Sequence, residues 1–182
     1  MSNPAISPTA PQWAAVGMGV KTLTVKPFNT GDLLVLEFFV NGGPAAAVSG
    51  GGVATWHCAS SYYDTTGSAY IAIWWGVVTS PGHAVVTVTD AGEGSNFGIL
   101  WVREFTAAGA NWSAASRSVP PGTTGGTPAT SGFPVTYPSL APSAGGNDLY
   151  IGAGWSYFGH MIPGSTAGFT YTNPASNGSN LA

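Results

Sequence analysis

Glycine and proline recur so often along this chain that few stretches escape both for a dozen residues. The sequence holds 27 Gly and 14 Pro in 182 residues. Within a helix Gly costs about 1 kcal/mol and Pro about 3 kcal/mol relative to Ala, so no long helix fits that spacing. Strands and turns are left, and the apolar residues follow the two-residue period of a half-buried strand. The run Leu33–Asn41 sets Leu34, Leu36, Phe38 and Val40 on one face. Ala69–Val78 sets Ala69, Ile71, Ile73, Trp75 and Val77 on one face and Tyr70, Ala72, Trp74 and Val78 on the other. Both faces are apolar, as in a central strand.

Further strands are expected at Val20–Lys26, Val53–Ser60 with Trp56 as its anchor, Ala84–Thr89, Gly98–Thr106, Phe133–Tyr137, Asp148–Trp155 and Phe169–Thr172. Val86 and Val88 alternate with Thr87 and Thr89 after the Ser80-Pro81-Gly82 turn, which predicts a hairpin with the strand before it. In Asp148–Trp155 one face carries Leu149, Ile151, Ala153 and Trp155. The expected inward set is Leu34, Leu36, Phe38, Ile71, Ile73, Val86, Val88, Ile151 and Trp155. A short echo links Gly31-Asp32-Leu33-Leu34-Val35 with Asn147-Asp148-Leu149-Tyr150-Ile151, and ordinary turn chemistry before an apolar run accounts for it.

Two stretches offer no periodic core face. Residues 1–17, with Pro4, Pro8 and Pro11, are expected to form an extended arm, and 107–132 a long Gly/Ser/Thr/Pro loop. Both would then be held by contacts outside their own fold. The expected architecture is all-β: a single β-sandwich of eight to ten strands over 18–182, preceded by the arm.

Charge is the second constraint. The chain has four Lys and Arg and seven Asp and Glu, 6% of its residues, where about 25% is typical. A disordered chain would show the reverse balance. Depletion of charge marks the cores of protein interfaces, so much of this surface is expected to meet other protein. Lys21, Lys26, Arg103 and Arg117 make no basic patch, which argues against a nucleic-acid partner. The single Cys58 has no internal disulfide partner. No Lys or Arg precedes Lys21 and no apolar core follows, so the N-terminal stretch does not read as a signal peptide. The apolar runs fall far short of the ~20 residues of a membrane-spanning helix, and no membrane insertion is expected.

Chemistry-bearing residues are sparse. Glycoside hydrolysis needs two carboxylates flanking the bond; here Asp32 and Asp148 sit at turn-to-strand junctions, where turn chemistry explains them, and Glu37 lies within a strand as an inward or edge charge. No Gly-x-Ser-x-Gly elbow exists, and His57, His83 and His160 belong to no recognisable motif. His57 and Cys58 are adjacent and would point to opposite faces of a strand, so they cannot share a zinc ion. Asp90, Glu93 and Asn96 offer oxygens in one loop without the residue order of an EF-hand. Tyr62, Tyr63 and Trp112 fall in segments that look like loops, and exposed aromatic rings there would stack on sugars. Trp56, Trp75, Trp101 and Trp155, at alternating strand positions, read as core or interface anchors.

The order of elements resembles a β-sandwich domain recurrent in actinobacterial surface proteins and in minor tail or other virion proteins of the phages of those bacteria. The residues that carry the resemblance are Gly31-Asp32-Leu33-Leu34-Val35, Trp56, Tyr70–Trp75, Val85-Val86-Thr87-Val88-Thr89, Gly98–Phe105, a Thr/Ser/Pro-rich linker and Asp148-Leu149-Tyr150-Ile151. Trp101-Val102-Arg103-Glu104-Phe105 departs from that domain's aromatic-Arg-Gly strand end, and the resemblance implies one more closing strand after Ala182. It implies a jelly-roll-like fold, a role in display or adhesion, and no catalytic signature or cofactor. The expectation is a non-enzymatic bacteriophage virion protein, a minor tail or tail-tip component. Its partners would be other virion proteins, copies of itself, or a host-surface glycan. The alternatives are a capsid decoration protein and a carbohydrate-binding surface module.

Overall fold

The computed structural model describes residues 5–6, 13–64, 68–90, 97–107, 109–110, 112, 149–156 and 180–181. Within them the chain is all-β, with no α-helix. The strands are β1 (Ala5–Ile6), β2 (Trp13–Met18), β3 (Thr22–Val25), β4 (Leu33–Asn41), β5 (Ala45–Gly50), β6 (His57–Asp64), β7 (Ala69–Val77), β8 (Ala84–Asp90), β9 (Phe97–Thr106), β10 (Trp155–Ser156) and β11 (Asn180–Leu181). One antiparallel sheet runs β9-β4-β7-β6, with β1 and β2 both paired to the outer side of β9. A second runs β3-β8-β5, and β10 pairs with β11.

The two larger sheets pack face to face. Leu34, Leu36, Phe38 and Val40 of β4 meet Leu23 and Val25 of β3 and Val86 and Val88 of β8, with Tyr70, Ala72, Leu100 and Val102 completing the cluster. Burying one such side chain contributes about 1.5–3 kcal/mol. The even-numbered face of β4 is thus core, as the two-residue period predicts. The odd-numbered face is covered as well: Leu33, Val35 and Phe39 are buried beneath Trp112, Leu149, Ile151 and Ala153. Two covered faces explain why β4 is buried from Leu33 to Val40 and why β7 is apolar on both sides.

Several expectations need correction. The segment read as an arm supplies two strands: Trp13 pairs opposite Val102 and Met18 opposite Phe97, while Ala5 and Ile6 pair with Thr106 and Phe105. Trp13 and Ala15 pack on the inter-sheet core and Val16 on the outer cluster, so residues 13–17 are held by their own fold. The period was hidden because Trp13-Ala14-Ala15-Val16-Gly17 has no polar alternation. The strand expected at Val53–Ser60 begins instead at His57, with Trp56 buried just ahead of it. β5, unforeseen, is an Ala-rich strand on the edge of the second sheet. β7 and β8 do not form a hairpin, because β8 pairs with β3 and β5. Ile71, Ile73 and Ile151 are half-buried on the outer face, not in the inter-sheet core. Leu149, Ile151 and Ala153 do share a face, but strand pairing begins only at Trp155. The stretches 133–137 and 169–172 and most of 107–132 lie outside the described residues.

The passage from β5 to β6 turns on Gly50, Gly51 and Gly52, with φ of 78°, 71° and 75°. Only glycine takes such angles without strain. The turn is fixed by Trp56 Nε1 donating to Gly50 O at 3.0 Å and Thr79 N donating to Gly52 O at 2.8 Å. A Cβ on Gly50 would press into the Val85 carbonyl oxygen. Gly50→Ala is therefore expected to cost about 2 kcal/mol or more, read as a lower urea midpoint at unchanged slope.

Candidate functional site

Among the described residues four charged side chains are buried, Asp32, Glu37, Arg103 and Glu104. They lie on two neighbouring strands and the turn that enters one of them, which leaves seven charged side chains for the rest of the chain. Cross-strand register decides their grouping, since residues directly opposite share a face. On the outer face one row runs His57, Trp75, Val35, Arg103, and the next Ser60, Ile73, Glu37, Trp101. Glu37 and Arg103 are therefore diagonal neighbours and form a buried ion pair. The Arg103 guanidinium also lies 4.5 Å from the centroid of the Trp101 ring, and His57 stacks on Trp75 with ring centroids 4.4 Å apart.

Burial pushes the Glu37 carboxyl up to about 7, and Arg103 offsets only part of that. Glu37 Oε2, Arg103 Nε and Trp75 Nε1 accept or donate no hydrogen bond. An ion pair this dry is costly to form and more costly to break from one side.

Glu104 faces the other way, toward the second sheet, in the row of Leu34. Its Oε1 accepts from the Phe28 backbone N–H at 2.9 Å, and its Oε2 has no donor. Burial raises its pKa to about 7, with the adjacent Asp32 carboxyl acting in the same direction and the backbone N–H groups of Phe28 and Asn29 against it. Asp32 Oδ2 accepts from Asn29 Nδ2 at 3.0 Å, a side-chain bond across the turn. Asn29, Thr30, Thr106 and Ala107 line an open groove of about 400 Å³ beside this pair.

The aromatic residues proposed for sugar stacking do not converge. Tyr62 and Tyr63 lie on strand β6, not in a loop, each somewhat more than a third exposed. Tyr62 pairs opposite Ile71 and Tyr63 opposite Tyr70, so successive rings project to opposite faces. Trp112 is buried, 9% exposed, and its Nε1 donates to Gly31 O at 3.0 Å. It packs near Leu33, six residues along β4 from the Phe39 row of Tyr62, roughly 20 Å away at strand rise. His57 and Cys58 project to opposite faces, in the rows of Trp75 and Trp74. The Cys58 thiol is exposed and is raised above its ordinary pKa by partial burial. Among the described residues no three His, Cys, Asp or Glu side chains form a metal-binding group. Residues 91–96 of the Asp90–Asn96 loop, with Glu93 and Asn96, lie outside those residues.

Two outcomes follow. Glu37 and Glu104 titrate near 7 in the folded chain and near 4.5 when unfolded, so between those values the folded state holds more protons. Stability is then full below about pH 4.5 and declines as pH rises to about 7, by on the order of 2 kcal/mol per group. Thermal melts across pH 4.5–8 check it, and Arg103→Met should steepen the decline by leaving Glu37 unpaired. Trp112→Ala should cost about 3 kcal/mol of stability, as a core truncation does, in chemical denaturation.

Compared with protein-family models, curated proteins and solved structures, the chain matches none.

Proposed function

We propose that this chain is a non-enzymatic structural protein of a bacteriophage virion, a minor tail or tail-tip component working through contacts with other virion proteins or copies of itself. The observation that carries the reading is the charge-poor surface. Four of the few charged side chains are spent inside the fold. The outer face of the β3-β8-β5 sheet presents Thr22, Thr24, Ala47, Ser49, Val85, Thr87 and Thr89, with no charge among them. Val85, at the centre of that face, is half exposed, and Met18 at the opposite sheet's edge is 72% exposed. Such a surface suits burial against protein, where charge is depleted.

The jelly-roll-like form belongs to the same proposal. It is supported by the way β3 to β9 change sheet at nearly every connection, only β6 and β7 staying together, the habit of Greek-key double sheets. Residence in the virion and adhesion to a host surface rest on the sequence resemblance. Capsid decoration fits the same surface and differs only in location. The carbohydrate-binding reading loses its platform with the burial of Trp112 and the divergence of Tyr62 and Tyr63.

Light scattering of the purified chain and immunodetection in purified virions test the reading. Self-association or presence in particles is expected. A strictly monomeric chain that is absent from virions would overturn it. Because Trp13 and Ala15 belong to the core, deleting residues 1–17 should lower stability by several kcal/mol, seen as a reduced melting temperature.

A further inference from the structure

We propose that a proton held by Glu104 against Asp32 is a latch that fastens the turn at 27–32 to the end of β9 and releases it when the proton leaves. Both side chains are buried, at 5% and 1% exposure. Glu104 Oε1 is taken by the Phe28 N–H and Oε2 has no hydrogen-bond partner, while Glu104 stands opposite Leu34, two residues along from Asp32 and on the same face. Two carboxylates have no donor between them, so a bond there needs a proton, as in other paired carboxyls. A divalent cation fits less well: calcium takes six to eight oxygens, and the described residues supply no third acidic, His or Cys ligand.

The surroundings leave the proton as the controlling charge. Glu37 on β4 and Arg103 on β9 project to the opposite face of the sheet. Lys26, just before the turn, is exposed, and so is His83, next to the Gly82 whose N–H donates to Pro27 O. β1 and the described residues of 107–112 carry no charged side chain. Among the described residues, Asp32 is the charged side chain that lies beside Glu104. With the proton gone, two negative charges face each other in a buried site, where repulsion is less screened than in open solvent.

The turn is also the wall of the groove. Gly31 N donates to Val78 O at 2.9 Å, Val78 N to Asp32 O at 2.8 Å, and Trp112 Nε1 to Gly31 O at 3.0 Å. Release of the turn therefore changes the groove's shape as pH crosses neutrality. This holds whether or not the chain is a virion protein.

Amide exchange on the ¹⁵N-labelled full chain tests the latch at pH 5.5 and pH 8.5. The ratio of protection at Phe28 and Gly31 to that at Phe38, deep in β4, should fall about tenfold or more at the higher pH. In Glu104→Gln the side-chain amide donates to Asp32 in place of the proton, and the ratio should stay level. Asp32→Asn serves the same purpose should the first variant fail to fold. A wild-type ratio that does not change, or a variant that keeps the fall, overturns the proposal. Recovery of protection at pH 8.5 on adding millimolar calcium would mark a cation site and overturn it too.

Discussion

The antiparallel ladder between β4 and β9 is the constraint on which the rest of the structure depends. It joins Leu33–Val40 to Gly98–Phe105 at the centre of the larger sheet. Its register sets Leu34, Leu36, Phe38, Leu100 and Val102 toward the second sheet and Val35, Phe39, Ile99 and Trp101 toward the opposite cover. The same register brings Glu37 beside Arg103, two residues 66 positions apart in the chain. A slip of one residue would exchange the faces and leave those charges unpaired in an apolar layer. The buried ion pair thus makes alternative registers expensive, a specificity role that such pairs fill in some proteins at a cost in stability.

The strands that were legible in the sequence share one property. β4, β7, β8 and β9 alternate or run apolar over seven residues or more, and their bounds fall within a residue or two of the expected ones. β5 was illegible because Ala-Ala-Ala-Val-Ser-Gly carries no contrast between faces. Trp56 drew the next strand too early: it is an anchor that plugs the corner through its indole N–H, and the ladder starts one residue later. β2 was lost because Trp13-Ala14-Ala15-Val16-Gly17 has no polar alternation and its partner lies some eighty to ninety residues away. For β5 and β2, pairing across long sequence distances overrides weak local preference.

The site was less legible than the fold. Glu37 could be noticed as a charge in an apolar strand, but its partner follows only from knowing that β4 and β9 are neighbours. Asp32 reads correctly as a turn residue, while Glu104 looks like any strand-end carboxylate until Phe28 is brought against it. Trp112 sits in a stretch of small residues that gives no hint of burial, yet it closes over Leu33 and Phe105. What exposes a side chain is tertiary placement, and a loop-like composition does not decide it.

The attachment of β2 to β9 has a consequence for how the chain is made. Trp13–Met18 leaves the ribosome well before the strand it must pair with, Phe97–Thr106, which follows only after some eighty further residues. At about 5–20 residues per second that interval lasts roughly 4–16 s, far longer than the microseconds a hairpin needs to close. Throughout it the segment from Trp13 to Met18 has no ladder to join. Closure of this edge is a late, long-range step of the kind that slows β-rich folding, and the nascent chain must survive until then with this strand unpaired.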